Sequence, residues 1–319
     1  MVIKGKVYYG GGKVGRVSRN AVGSKFTIYC YNPTTNKWCP HAILPVKFYG
    51  LGQLNQKIIA VGGCKVPTYV NIHNIIDITS EVYEIPIDSA GPTIEIKKPW
   101  THSRMKKGRY LPTILSSDSS LIVIGGHGEN SSDLSDMEIF DTLSKQWSLV
   151  ESNLPFGVCN FSATPVGDKY YLLGMSEAEY EDRETKSGKF HNGALSIQLP
   201  ATPSSVCDPN HPDYCWQALT STPLYSPIAA SVYGHPLAIG GKSPNIFNKD
   251  KNKDLKEVKS THVYAWSERM WIRMNSDLPT HISSATTVTI SEYEFLIIGG
   301  KNLDNEQMAT VYKGSLNFF

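Results

Sequence analysis

The sequence predicts an all-β propeller of six blades, each a four-stranded antiparallel sheet, on three observations that keep one phase. Six times a short β-branched or aromatic run ends in glycine: KVYYGGG, KIIAVGG, LIVIGG, KYYLLGM, PLAIGG and FLIIGG. Counted at Gly12, Gly63, Gly126, Met175, Gly241 and Gly300, these ends recur 49 to 66 residues apart. In four units an aromatic after the glycines is followed seven residues later by another, at Tyr31 and Trp38, Phe140 and Trp147, Tyr264 and Trp271, and Tyr312 and Phe319. Leu-Pro or Thr-Pro then closes the unit at Pro45, Pro155, Pro223 and Pro279. A period of this length marks a supersecondary unit that buries its apolar faces against its neighbours.

The elements follow in order. The first blade (about 1–44) predicts strands near 6–12, 26–32 and 37–43, with only Met1, Val2 and Ile3 where an opening strand belongs. The second (45–104) predicts 48–54, 57–63, 79–85 and 93–100, and the third (105–155) predicts 110–117, 120–126, 136–141 and 146–150. The fourth (156–223) takes 161–166, 169–174, 193–199 and 215–220, and the fifth (224–279) takes 228–233, 236–241, 260–266 and 270–274. The sixth (280–319) predicts 284–290, 294–300 and 308–313, and Phe319 then falls where a fourth strand would begin. Both ends are therefore expected to be truncated within a single propeller domain, leaving strand edges open.

With the diglycines, the spaced aromatics and the trailing Leu-Pro in register, the chain resembles the kelch-repeat β-propellers, whose period is about 50 residues. The resemblance implies four strands per blade with the glycine pair at the end of the second. Glycine suits a strand end that reaches positive φ and close backbone approach, and a repeated large aromatic can fill the wedge between blades. The fourth unit departs, with Met175 in place of the second glycine, and the spacings from Tyr83 to Trp100 and Ile197 to Trp216 are stretched.

Composition bounds the function. The chain has 319 residues, 40% of them hydrophobic, and a formal net charge of +2. That charge argues against nucleic-acid or membrane binding by bulk electrostatics, and no apolar run approaches the length of a membrane span. The start, MVIKGKVYYGGG, reads as strand, turn and strand rather than a secretory leader. Six scattered cysteines fit reduced thiols, so a cytoplasmic protein is expected. Two polar segments, 176–193 and 242–260, interrupt the repeats and carry too little apolar surface to offset the entropy of ordering.

Antiparallel alternation puts the glycine-pair loops and the links between blades at the same end of each sheet. Lys13, Lys65, His127, Lys242 and Lys301 follow the glycines, and Arg16 and Arg19 lie in the first such loop. The links add Lys47, Tyr49, Arg104, Arg109, Tyr110, Tyr225 and His281. Cations interleaved with Tyr are the composition of a hot spot for an acidic protein or peptide.

Other chemistries are weaker. Cys207, His211 and Cys215 form a Cys-x3-His-x3-Cys run with zinc-ligand chemistry, but Pro209 and Pro212 exclude a helix that would align them, which favours a disulfide or two free thiols. Iron-dependent specifier proteins of glucosinolate breakdown carry Glu-x3-Asp-x3-His, whereas Glu129 and Asp133 are followed here by Met137. No copper site of the galactose-oxidase kind aligns, and no nucleophile elbow, phosphate loop or His-Glu-x-x-His occurs. The reading is thus a protein-interaction module without a cofactor, acting on an acidic partner segment as the substrate receptor of a ubiquitin-ligase adaptor does. The alternatives are a sugar or small-molecule enzyme resembling sialic-acid mutarotases, or an actin-binding kelch protein.

Overall fold

The computed structural model describes residues 1–10, 26–65, 77–87, 93–99, 104–116, 120–129, 132–150, 154, 157–159, 161–175, 193–198, 217–224, 226–243, 258–304 and 306–315. Among these residues there is no α-helix, hence none long and apolar enough to cross a membrane. The strands form six blade sheets and one small ribbon.

The first sheet runs β1 (Val2–Ile3), β2 (Lys6–Tyr9), β3 (Thr27–Asn32) and β4 (Lys37–Ile43), and the second β5 (Gly50–Leu54), β6 (Lys57–Val61) and β7 (Val82–Ile85). The short β8 (Ile94–Glu95) follows. The third comprises β9 (Thr113–Ser116), β10 (Ser120–Ile124), β11 (Met137–Asp141) and β12 (Gln146–Val150). The fourth comprises β13 (Ser162–Val166), β14 (Lys169–Met175), β15 (Gly193–Gln198) and β16 (Gln217–Leu219). The fifth starts with β17 (Ile228–Val232) and β18 (His235–Ile239), is interrupted by a ribbon of β19 (Lys242–Ser243) and β20 (Val258–Lys259), and ends with β21 (Val263–Ser267) and β22 (Met270–Arg273). The sixth comprises β23 (Thr286–Ser291), β24 (Glu294–Ile298) and β25 (Val311–Ser315). The first three sheets belong to one compact unit, within Met1–Asn160, and the last three to another, within Phe161–Leu199 and Cys215–Phe319.

One finding differs from the sequence reading, and two add detail to it. The expected fourth strand of the second blade does not pair with β7: β8 lies parallel to β4 instead, with Ala42 opposite Ile94 and Ile43 opposite Glu95. Apolar burial drives this, because Ile87, Ile94 and Ile96 pack on the core of the first two sheets. In the fifth blade Tyr264 does not face Trp271; Trp266 does, and Tyr264 faces Arg273. The turn there is only Glu268 and Arg269, both at positive φ (49° and 68°), which is the geometry of a two-residue hairpin. The first and third blades use four-residue turns, so Tyr31 does face Trp38 and Phe140 does face Trp147. The opening strand of the first blade is two residues long, Val2 and Ile3, paired with Val7 and Lys6. In the sixth sheet the three strands are the whole of what is described, since Phe319 lies outside the described residues.

The second strand of a blade is apolar throughout because neighbours cover both its faces. In β6, β18 and β24 every residue after the first is buried, which is why these runs lack polar alternation. Phe140 and Trp147, with centroids 5.3 Å apart, join Leu54, Ile59, Val61 and Val82 in the core between the second and third sheets. Trp38, in contrast, is 38% exposed and fills no wedge. The glycine pairs end these strands as required: Gly240 and Gly241 have φ of 63° and 69°, and a Cβ on Gly240 would run into the Ile282 carbonyl.

Candidate functional site

The end of each blade is built by one repeated hydrogen-bonding scheme. The residue after the glycine pair bridges two strands: Cys64 lies between Lys47 and Ile78, His127 between Tyr110 and Asp133, and Lys301 between Ser283 and Gln307. The second glycine then holds the link to the next blade through its amide, as Gly63 to the Arg109 carbonyl (2.8 Å), Gly126 to Val158 (2.8 Å) and Gly241 to Ile282 (3.0 Å). Glycine loops and interblade links therefore share an end within each unit, as strand alternation demands.

Charge at this end of the second and third blades is organised around three acids. Glu81, almost buried, accepts from Tyr83 Oη (2.6 Å) and Lys65 Nζ (2.9 Å), with Arg104 Nη2 at 3.5 Å. Burial pushes the Glu81 carboxyl up, but the Tyr83 and Lys65 hydrogen bonds and the Arg104 charge outweigh it and hold it below the usual range. Arg104 stays 68% exposed and Lys65 42%. Two cations thus surround one carboxylate, leaving a positive surplus at the surface.

Arg109 behaves differently from its sequence neighbour. It is fully buried, with Nη1 donating to the Gly125 carbonyl (3.0 Å) and Nη2 to Asp136 (2.9 Å) and Glu138 (2.8 Å). The backbone amides of Lys106 and Lys107 complete the Glu138 carboxylate, and the Lys107 ammonium pairs with Asp136. Its charge is matched inside the protein, so the structure gives it to the fold rather than to solvent.

The remaining predicted residues divide by burial. Tyr49, Tyr110 and His281 are buried; Tyr110 stacks between Phe48 and His127 at 6.4 and 4.7 Å, and His281 Nδ1 meets the Ser260 carbonyl at 3.1 Å. Lys47 lies over the Phe26 ring, 5.7 Å from its centroid. Lys242 begins the ribbon that closes the 242–260 segment at its base, and Lys301 is half-buried. Lys13, Arg16, Arg19, Tyr225, Cys207, His211 and Cys215 lie outside the described residues, as does the 176–192 segment. Sequence phase missed two residues beside His127. Asp133 Oδ1 lies 2.5 Å from His127 Nδ1, and Cys159, buried next to it, has its thiol pushed up to about 12 by burial and by the Asp133 charge. Cys159 occupies the link position of Lys47, Tyr110 and Ser283, so its neighbourhood was readable from the repeat.

Residues 108–153, the third blade, match the Kelch motif family. No curated protein sequence matches the chain. Among solved structures the chain is similar to that titled "Structure of YjhT", with a TM-score of 0.69 and 13% identity over 97% of this chain and 91% of that one. Identity this low carries the fold alone. The six antiparallel blade sheets and this structural similarity give the chain the fold of a six-bladed β-propeller, and its third blade carries the Kelch motif.

Proposed function

We propose that the chain is a protein-interaction module and that its glycine-loop end in the second and third blades captures a short acidic segment of a partner. The observation that carries this reading is the surplus of exposed cation around Glu81, where Arg104 and Lys65 share one carboxylate. Arg can present a planar fork to a partner carboxylate while still screened on one side by Glu81. Service as a substrate receptor for a ubiquitin ligase is an analogy to propellers of this kind, since a fold does not define a function. Glu81 does not favour the sugar-enzyme alternative: a carboxyl held low by hydrogen bonds and cations is not poised to give a proton near neutral pH.

The test is fluorescence anisotropy of a labelled glutamate-rich peptide against the wild type and a Lys65→Ala, Arg104→Ala double variant. Two exposed pairs at roughly 0.5–1 kcal/mol each sum to about 1–2 kcal/mol, a weakening of about 5- to 30-fold. Binding should also fall as salt rises. Equal affinity for both proteins, or indifference to salt, would reduce the surplus charge to a solvated surface.

A further inference from the structure

We infer that His127, Asp133 and Cys159 form a binding site for a zinc-like divalent metal ion at the glycine-loop end of the third blade. One donor atom from each residue lies within 4.8 Å of the others, a nitrogen, an oxygen and a sulfur around one point. This is the donor chemistry of a borderline-soft divalent ion. It is the one such cluster among the described residues.

The backbone brings the three together independently of any ligand. His127 is bridged to Asp133 directly. Leu134, next to Asp133, donates to the Gly126 carbonyl (2.8 Å) and accepts from the amide of Val158 (3.0 Å), the residue before Cys159. Gly157 passes so close to the Asp133 carbonyl that a side chain there would collide with it. The imidazole is fixed in turn by the Tyr110 ring, 4.7 Å away.

A second observation points to a ligand. Asp133 has a side chain only 5% exposed, and its carboxylate meets the two other members of the cluster, the His127 nitrogen at 2.5 Å and the Cys159 thiol, while no other hydrogen bond of good geometry reaches either oxygen. Nδ1 and Oδ1 approach to 2.5 Å as an ion pair rather than as a hydrogen bond of ordinary geometry. Buried polar groups left in this state are rare and costly. A cation would take the His127 nitrogen, one Asp133 oxygen and the Cys159 sulfur together. With bonds of about 2.0–2.3 Å it spaces tetrahedral ligands by roughly 3.3–3.8 Å, so binding would part the His127 and Asp133 donors by about an ångström. Three protein donors leave a fourth position for water or a partner side chain, as in open rather than closed zinc sites.

The experiment is cobalt titration of the chelator-treated full chain, followed by zinc competition. The wild type should bind cobalt with a thiolate-to-cobalt charge-transfer band, and zinc should abolish it. The band should persist in a Cys207→Ser, Cys215→Ser variant and disappear in Cys159→Ser, while Asp133→Asn should weaken binding at least tenfold. No band in the wild type overturns the site without reliance on any variant's folding. A band that survives Cys159→Ser but is lost in the Cys207→Ser, Cys215→Ser variant overturns it equally, by moving the metal to the other cysteines.

Discussion

Replacing Arg109 by Met should destabilise the protein far more than a rim substitution would. The guanidinium donates three hydrogen bonds from a fully buried position, to the Gly125 carbonyl, Asp136 and Glu138. Met fills much of the volume but leaves Asp136 with Lys107 and leaves the fully buried Glu138 with only two backbone amides. Removing one partner from a buried ion pair typically costs 3–5 kcal/mol, because the survivor is a buried, unmatched charge. Set against a total stability of about 5–15 kcal/mol, that is a large share. The assay is urea denaturation, read as the drop in midpoint at unchanged slope. An Arg109→Met, Glu138→Gln double variant should recover part of the loss, since the orphaned charge goes with its partner. An Arg109→Met cost within about 0.5 kcal/mol of wild type, the range of ordinary surface changes, or a double variant no better than the single, would refute the buried-charge account.

Two further outcomes follow from the geometry. Gly240→Ala should cost several times more than Gly234→Ala in thermal melts: both have positive φ (63° and 73°), worth about 1–2 kcal/mol for a side chain, but only Gly240 has a carbonyl, that of Ile282, where the Cβ would go. Comparable losses would remove the close-approach argument. Glu81→Gln should cost about 1.5 kcal/mol at neutral pH, with a gap to wild type that closes on acidification. A carboxyl held low in the folded state stabilises above its unfolded value, about 4.3, and that stabilisation is lost as pH falls through the lowered folded value; a gap independent of pH in melts from pH 7 to about pH 3 would contradict it.

Much of the fold was legible because its signals are local and repeated. The apolar runs and glycine pairs mark strands whose both faces are covered and whose ends need positive φ, and both requirements act on single residues. The misplaced second-blade strand was not legible, because Ile94 and Ile96 carry no mark saying which sheet will take them. The fifth-blade register was not legible for a related reason: a seven-residue aromatic spacing fixes facing partners only when the turn length is constant, and Glu268-Arg269 shortens it. One repeated feature had no sequence signature at all. Phe48, Leu111, Ser226 and Ser284 occupy matching link positions with φ between 45° and 56°, where non-glycine residues are uncommon and no common residue type betrays them.

The site was half legible, and the limit is physical. Repeat phase says which residues reach one end of a blade, since that depends only on strand alternation. Whether a cation there meets solvent depends on acids from other strands, which phase does not report. Arg104 and Arg109 are five residues apart in one link, yet the first is 68% exposed beside one shared carboxylate and the second is sealed between two. The difference lies in Glu138 and Asp136, supplied by β11 and the residue before it, against the single Glu81 of the preceding blade. A variant that removes Arg104 and Arg109 together would therefore mix a surface effect with the loss of a buried charge network, and lost binding would not tell one from the other. Lys65 and Arg104 are the pair that isolates the surface, because both remain exposed and their shared partner keeps the hydrogen bond from Tyr83 when they are gone.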